Sequence, residues 1–225
     1  MEINKSFLDS CIRELIQERD CFHSEDDFKF SLAWKIKNKI KNAEIRLEKP
    51  FREIHGKERS KPFHLDIFVK LGRRIGIELK YKTKELKHQT KNGEEYFLKS
   101  HVAVDLGRHD FCKDIKRIET LIKKGELDYG FVIFLTNDTA YWKQSSRLKE
   151  DSYDKNFRIH EGVVLKGTLK WYGKRKRWLS KDMYKPIKLM GKYEIRWYNP
   201  DSKADKNFRY TIVEIIRFSL ISQNH

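Results

Sequence analysis

Cysteine, proline and glycine are all scarce: 3 Cys, 4 Pro and 11 Gly among 225 residues. So few glycines and prolines exclude a collagen-like or low-complexity chain. The three cysteines, Cys11, Cys21 and Cys112, are odd in number and lack metal-ligand spacing, which points to a reducing, cytoplasmic compartment. Long apolar runs are absent too. The longest, Phe131 to Leu135, is about five residues, far below the ~20 of a membrane-spanning helix. Glu2, Lys5, Asp9, Arg13 and Glu14 break up any signal-peptide core at the N-terminus. What the chain has in excess is positive charge: 49 Lys+Arg against 33 Asp+Glu, a formal net charge of +16. Such a field draws polyanions, nucleic acid foremost, and a membrane as partner has less support. With 13% aromatic residues there is ample material for a core.

Residues 1–22 carry Ile3, Phe7, Cys11 and Leu15 on one stripe, the pattern of an amphipathic helix. A second helix is expected from Ser24, a good N-cap with Asp27 three residues on, to about Asn42. Its buried stripe is Phe28, Leu32 and Ile36, and Glu25 projects from its first turn on the same side. In Phe63 to Lys70 and again in Ile75 to Lys82, odd positions are apolar and even positions mostly are not, so both are period-2 strands. The short link Leu71-Gly72-Arg73-Arg74 makes them a hairpin. A polar loop over 82–94, helices over 97–106 and 108–124, and a doubly covered strand over 128–136 follow. Beyond a polar linker at 143–158, strand-like segments lie at 162–172, 187–198 and 208–218. The expected organisation is an α/β core over residues 1–142 with a β-rich C-terminal extension, 143–225, packed on the same domain.

The chemistry concentrates in the hairpin. With Gly72 near its centre, Asp66 lies opposite or diagonal to Glu78, and Lys80 shares the face. Two carboxylates so placed can hold Mg²⁺, which takes one or two protein carboxylates together with substrate oxygens. A lysine two residues on can orient or help deprotonate the attacking water, or offset charge on the phosphate. Glu-x-Lys occurs twice, at Glu78-Leu79-Lys80 and Glu85-Leu86-Lys87, and only the first lies in an alternating strand facing a second acid. The same three charges also suit the wet face of an amphipathic hairpin, where ion pairs contribute ~0–1 kcal/mol.

Asp66, eleven intervening residues and then Glu78-Leu79-Lys80, preceded by the Ser24-Glu25 helix start, resemble the PD-(D/E)XK, or restriction-endonuclease-like, nuclease superfamily. The resemblance covers roughly residues 20–142, and Leu65 stands where a proline often precedes the first acid. It implies a three-layer α/β/α core with a mixed central sheet and Mg²⁺-dependent hydrolysis of phosphodiester bonds, with Mn²⁺ as a substitute. Carried over by position, Asp66, Glu78 and the Leu79 carbonyl hold the metal. Lys80 positions and activates water, and Glu25 supports the site or a second metal. The run from Tyr96 to Trp142, with Asp105, Arg108, Asp110, Asp114 and Arg117, is similar to helices of uncharacterised prokaryotic members, for which defence, phage or repair settings are natural. DNA is favoured over RNA as substrate. Members often act as dimers, which leaves room for a homodimer or a partner subunit.

Lys82, Arg108 and the run Lys174-Arg175-Lys176-Arg177, set between Trp171-Tyr172 and Trp178, are the candidate nucleic-acid contacts: cations neutralise phosphates and aromatics stack on bases. The run suits a solvated hairpin tip equally well. His101 and Asp105 are four apart and form a pair on an expected helix. His64 shares the face of Asp66. Two readings from other classes remain beside the DNA nuclease: a non-catalytic nucleic-acid-binding module with a degenerate site, and an RNA-cleaving toxin of the same fold.

Overall fold

The computed structural model describes residues 2–51, 63–144 and 152–217, and the backbone of 54–55 and 58–59. In chain order the elements are α1 (Lys5–Arg19), α2 (Glu25–Lys39), β1 (Glu44–Phe51), β2 (Ile54–His55), β3 (Glu58–Arg59), β4 (Phe63–Leu71), β5 (Arg73–Lys82), β6 (Leu86–Gln89), β7 (Glu95–Leu98), α3 (Val104–Lys123), β8 (Tyr129–Thr136), α4 (Thr139–Trp142), β9 (Val164–Leu169), α5 (Lys181–Tyr184), β10 (Ile187–Glu194), β11 (Trp197–Tyr198) and β12 (Arg209–Ile216). The class is mixed α/β. Six strands form one mixed sheet in the order β1-β4-β5-β8-β12-β11, in which only β5 and β8 run parallel.

Local sequence explains the helix starts. Asn4 caps α1 by accepting the Phe7 N–H, and Ser24 caps α2 by accepting the Asp27 N–H. Glu25, Asp26 and Asp27 then occupy the first turn of α2, where the helix dipole favours acids. Phe28, Leu32 and Ile36 are buried as their spacing requires, whereas Phe30 and Trp34 are exposed and stacked on each other. Helices α1 and α2 share one core with Ile67, Val69, Ile75, Ile77 and Leu79. Helix α3 shares the other with Phe68, Val132, Phe134, Val213 and Ile215, so the sheet is covered on both faces. Strand β8 is buried at all eight positions, as its unbroken apolar run demands.

The β4–β5 turn places Gly72 at φ +67°, a conformation that suits glycine. Gly76 and Gly130 pair across β5 and β8. A Cβ on Gly130 would lie 2.6 Å from the Gly76 carbonyl oxygen and 2.7 Å from Ile118 of α3. The bare backbone there lets α3 settle on the sheet.

Two expectations are corrected. No helix occupies 97–103: residues 86–98 fold into the small β6–β7 hairpin, and α3 starts only at Val104. The alternation in Glu95-Tyr96-Phe97-Leu98, exposed, buried, exposed, buried, is the period-2 signal that a helical reading passes over. The His101–Asp105 pair therefore does not form. His101 Nδ1 instead accepts the Thr83 N–H at 3.0 Å, and Asp105 accepts the Leu106 N–H. Within the expected C-terminal extension, β12 lies along the whole of β8 and β11 edges the sheet. The β9–β10 pair packs on α3, where buried Glu119 accepts from Met190 N, Gly191 N and Tyr193 Oη. The polar linker expected over 143–158 falls partly outside the described residues. Among the described residues no helix is long and apolar enough to cross a membrane.

Candidate active site

The hairpin register runs from Leu71–Arg73 to Ile67–Ile77, and one more step would set Asp66 opposite Glu78. The ladder stops there. On the other side, β1 pairs with β4 at Leu47–Ile67 and Lys49–Leu65 but not at the step between, where Glu48 has φ +51°. A glutamate in the left-handed region is strained backbone of the kind that gathers at functional sites. Leu65 joins the α3-side core while Ile67 joins the α1/α2-side core, so β4 turns its faces over at Asp66.

This twist opens β4 away from β5 and leaves the outward amides of β5 without a neighbouring strand. Two carboxylates replace it. Asp66 Oδ2 accepts the Leu79 N–H at 2.7 Å, and Glu25 Oε2, from the first turn of α2, accepts the Tyr81 N–H at 2.7 Å. The Leu79 carbonyl accepts from Lys80 Nζ at 3.1 Å.

Glu78 and Lys80 face α3 and meet two side chains from it. Lys80 Nζ lies 2.7 Å from Asp114 Oδ2, and Arg117 lies 2.7 Å from Asp114 Oδ1 and 4.0 Å from Glu78 Oε1. Glu78 is 2% exposed, and its Oε1 has no hydrogen-bond partner. Lys29, on the buried side of α2, pairs with Asp26 and Glu48 and lies 3.8 Å from Asp66 Oδ1. Four acids, Glu25, Asp66, Glu78 and Asp114, thus surround or adjoin three cations, Lys29, Lys80 and Arg117.

The electrostatics follow from this crowding. Burial, then Asp114 and Asp66, pushes the Glu78 carboxyl well above its ordinary range. Burial also raises Glu25 and Asp114, against the pull of Lys80. Burial pulls the Lys80 ammonium down, but Asp114, Glu25 and Glu78 outweigh it and hold the group above its usual range.

The sequence-based residues therefore divide. Glu25, Asp66, Glu78, the Leu79 carbonyl and Lys80 come together at the splayed end of the hairpin. Lys82, at the end of β5, lines a cleft with Glu25. Arg108 does not join them: it pairs with Asp154 and the Ala140 carbonyl. Lys174, Arg175, Lys176 and Arg177 are exposed in the connection from β9 to α5. There Arg175 bonds the Leu179 carbonyl and Lys176 lies over the Tyr153 ring at 4.4 Å, neither touching the acids. His64 is exposed on β4. All three cysteines are buried. Burial pushes Cys11 and Cys21 up to about 12, which leaves them poor nucleophiles.

Asp114, Arg117 and Lys29 were not assigned roles from sequence. The signal exists for two of them. Asp114 is three after Phe111 and four before Ile118 on the buried stripe of α3, and Lys29 is four after Glu25 and three before Leu32. A charge on an apolar stripe needs a partner, and both have one.

Among the described residues no set of three or more His, Cys, Asp or Glu is arranged to hold a metal ion. The unpartnered, buried Oε1 of Glu78 nonetheless fits a cation, beside Asp66 and the Leu79 carbonyl; all three are hard oxygen donors. No known family model matches this chain, and no curated protein or solved structure is significantly similar to it.

Proposed function

We propose that the chain is a metal-dependent nuclease with a restriction-endonuclease-like core, hydrolysing phosphodiester bonds, DNA favoured. The observation that carries this reading is the orphaned carboxylate oxygen of Glu78, buried beside Asp66 and Lys80 where the sheet opens. An unpaired buried carboxylate costs stability, about 1–3 kcal/mol or more, and a catalytic role accounts for its retention. Asp66, Glu78 and the Leu79 carbonyl would hold Mg²⁺, or Mn²⁺ in its place, which supplies Lewis-acid polarisation of phosphate and acidification of water.

The chain's own residues do the rest. Lys80, paired with Asp114, would donate hydrogen bonds that orient the attacking water and offset charge on the phosphate. Arg117 steadies Asp114 and stands near Glu78. Glu25 anchors the end of β5 through the Tyr81 amide. A second reading, a nucleic-acid-binding module with a degenerate site, is favoured by the three cations that already neutralise most of the acids.

Cleavage of a DNA and RNA panel in Mg²⁺ or Mn²⁺ separates the two. Wild type should cut. Lys80→Ala should lose roughly 10²–10³-fold, the usual loss when one transition-state donor is removed. Asp66→Asn and Glu78→Ala should abolish cutting. A pure, folded wild type that is inert across the panel leaves the binding module; RNA cleavage alone moves the reading to an RNA-cleaving toxin.

A further inference from the structure

Beside the carboxylate cluster lies a cleft of about 320 Å³ walled by His23, Ser24, Glu25, Lys82, Phe97 and His101. A second, of about 260 Å³, lies along Glu85, Lys87, Phe97 and Lys99. Phe97, on β7, belongs to both and is 63% exposed, its ring offered to solvent from a hairpin whose Tyr96 and Leu98 are buried. Nothing in the fold requires an aromatic there. Lys87 pairs with Phe97 across the hairpin. Lys82, Lys87 and Lys99 have no ion-pair partner among the described residues. The nearby acids are Glu25, turned to the Tyr81 amide, Glu85, which borders the second cleft, Glu94, paired with His23 at 3.1 Å, and Glu95, two residues before Phe97 on the exposed face of β7. His101 accepts the Thr83 N–H through Nδ1, which leaves Nε2 as its protonated donor, and burial and Lys82 hold the ring below its ordinary pKa, hence neutral.

We propose that the β6–β7 hairpin is a platform for an unpaired nucleotide, with the base stacked on Phe97 and the flanking phosphates on Lys82, Lys87 and Lys99. An exposed ring framed by uncompensated ammonium groups is the arrangement that holds single strands: stacking tolerates any base and the cations follow the backbone. A duplex keeps its bases stacked inside and offers Phe97 no face. The inference deepens the nuclease reading by naming single-stranded or frayed nucleic acid as the substrate class. It rests on that reading only for the path of the strand, from Phe97 past Lys82 to Glu25 and Lys80.

The test is binding in EDTA, where cleavage does not enter. Fluorescence anisotropy is read with labelled dT15 and with a 15-base-pair duplex. Phe97→Ala should weaken dT15 binding roughly 5- to 150-fold and leave the duplex nearly unchanged, while Phe97→Trp retains it. Lys99→Gln should lower the salt slope for dT15 by about 0.7. Because Phe97 is exposed, its variants should melt with the wild type. The proposal is overturned if Phe97→Ala leaves dT15 binding intact, if both probes weaken alike, or if Phe97→Trp fails like alanine. Should dT15 binding behave as stated while wild type never cuts in Mg²⁺ or Mn²⁺, the hydrolase reading fails and the platform stands.

Discussion

Glu78 is where burial and charge conflict most. Its carboxyl holds a proton more tightly in the folded protein than in the unfolded chain. For such a group, stability present below the unfolded pKa, about 4.3, is lost as pH rises through the higher folded value. Glu25 and Asp114 shift in the same direction. Glu78→Gln should therefore melt above wild type at pH 8 in EDTA, with the difference closing near pH 5; equal melting curves at both pH values would count against the buried charge. Mg²⁺ should narrow the pH 8 gap by favouring the ionised form, and raising its concentration should move the acid limb of the cleavage profile to lower pH. Asp114→Asn removes the counter-charge of Lys80. Cleavage should fall, and the profile should move on its alkaline side as the ammonium becomes easier to deprotonate; a fall in rate with an unmoved profile would make Asp114 merely structural.

Among the elements, the β4–β5 hairpin was legible because alternation is a strong signal and Gly72 marks its turn. The Ser24 cap was legible for the same local reason. What local pattern could not give was the twist at Asp66, which depends on Glu48 across the sheet, and the company of Asp114 and Arg117, which arrive from a helix some forty residues along the chain. The β6–β7 hairpin was lost to a short stretch rich in lysine whose strands are only four residues each. Helix α3 against the β5–β8 seam has its own test. Gly130→Ala would force a Cβ to within 2.6 Å of backbone, and overpacking of that kind costs about 1–3 kcal/mol. Chemical denaturation should read that loss with an unchanged m-value.

For the molecule as a whole, the sheet is finished by the far end of the chain. Strand β12 pairs with β8 from Arg209–Thr136 to Ile216–Tyr129 and covers what the apolar run of β8 cannot leave open. The sequence pattern located the strand at 208–218 but not its neighbour, since pairing partners distant in sequence leave no mark on local periodicity. A chain ending before Arg209 should lose the cooperative melting transition, because both cores contain β12 side chains. The net charge of +16 predicts that nucleic-acid affinity falls linearly on a log–log plot against salt.

The carboxylates of Asp66 and Glu25 close the edge of β5 as a backbone carbonyl would. Truncating either side chain to a methyl group strips an amide of its acceptor, so a dead alanine variant confounds lost chemistry with a frayed scaffold. Asp66→Asn and Glu25→Gln keep an oxygen for the amide while removing the negative charge and turning the second oxygen into an NH2 donor. Substitutions at these two places disturb the scaffold least when the replacement is isosteric.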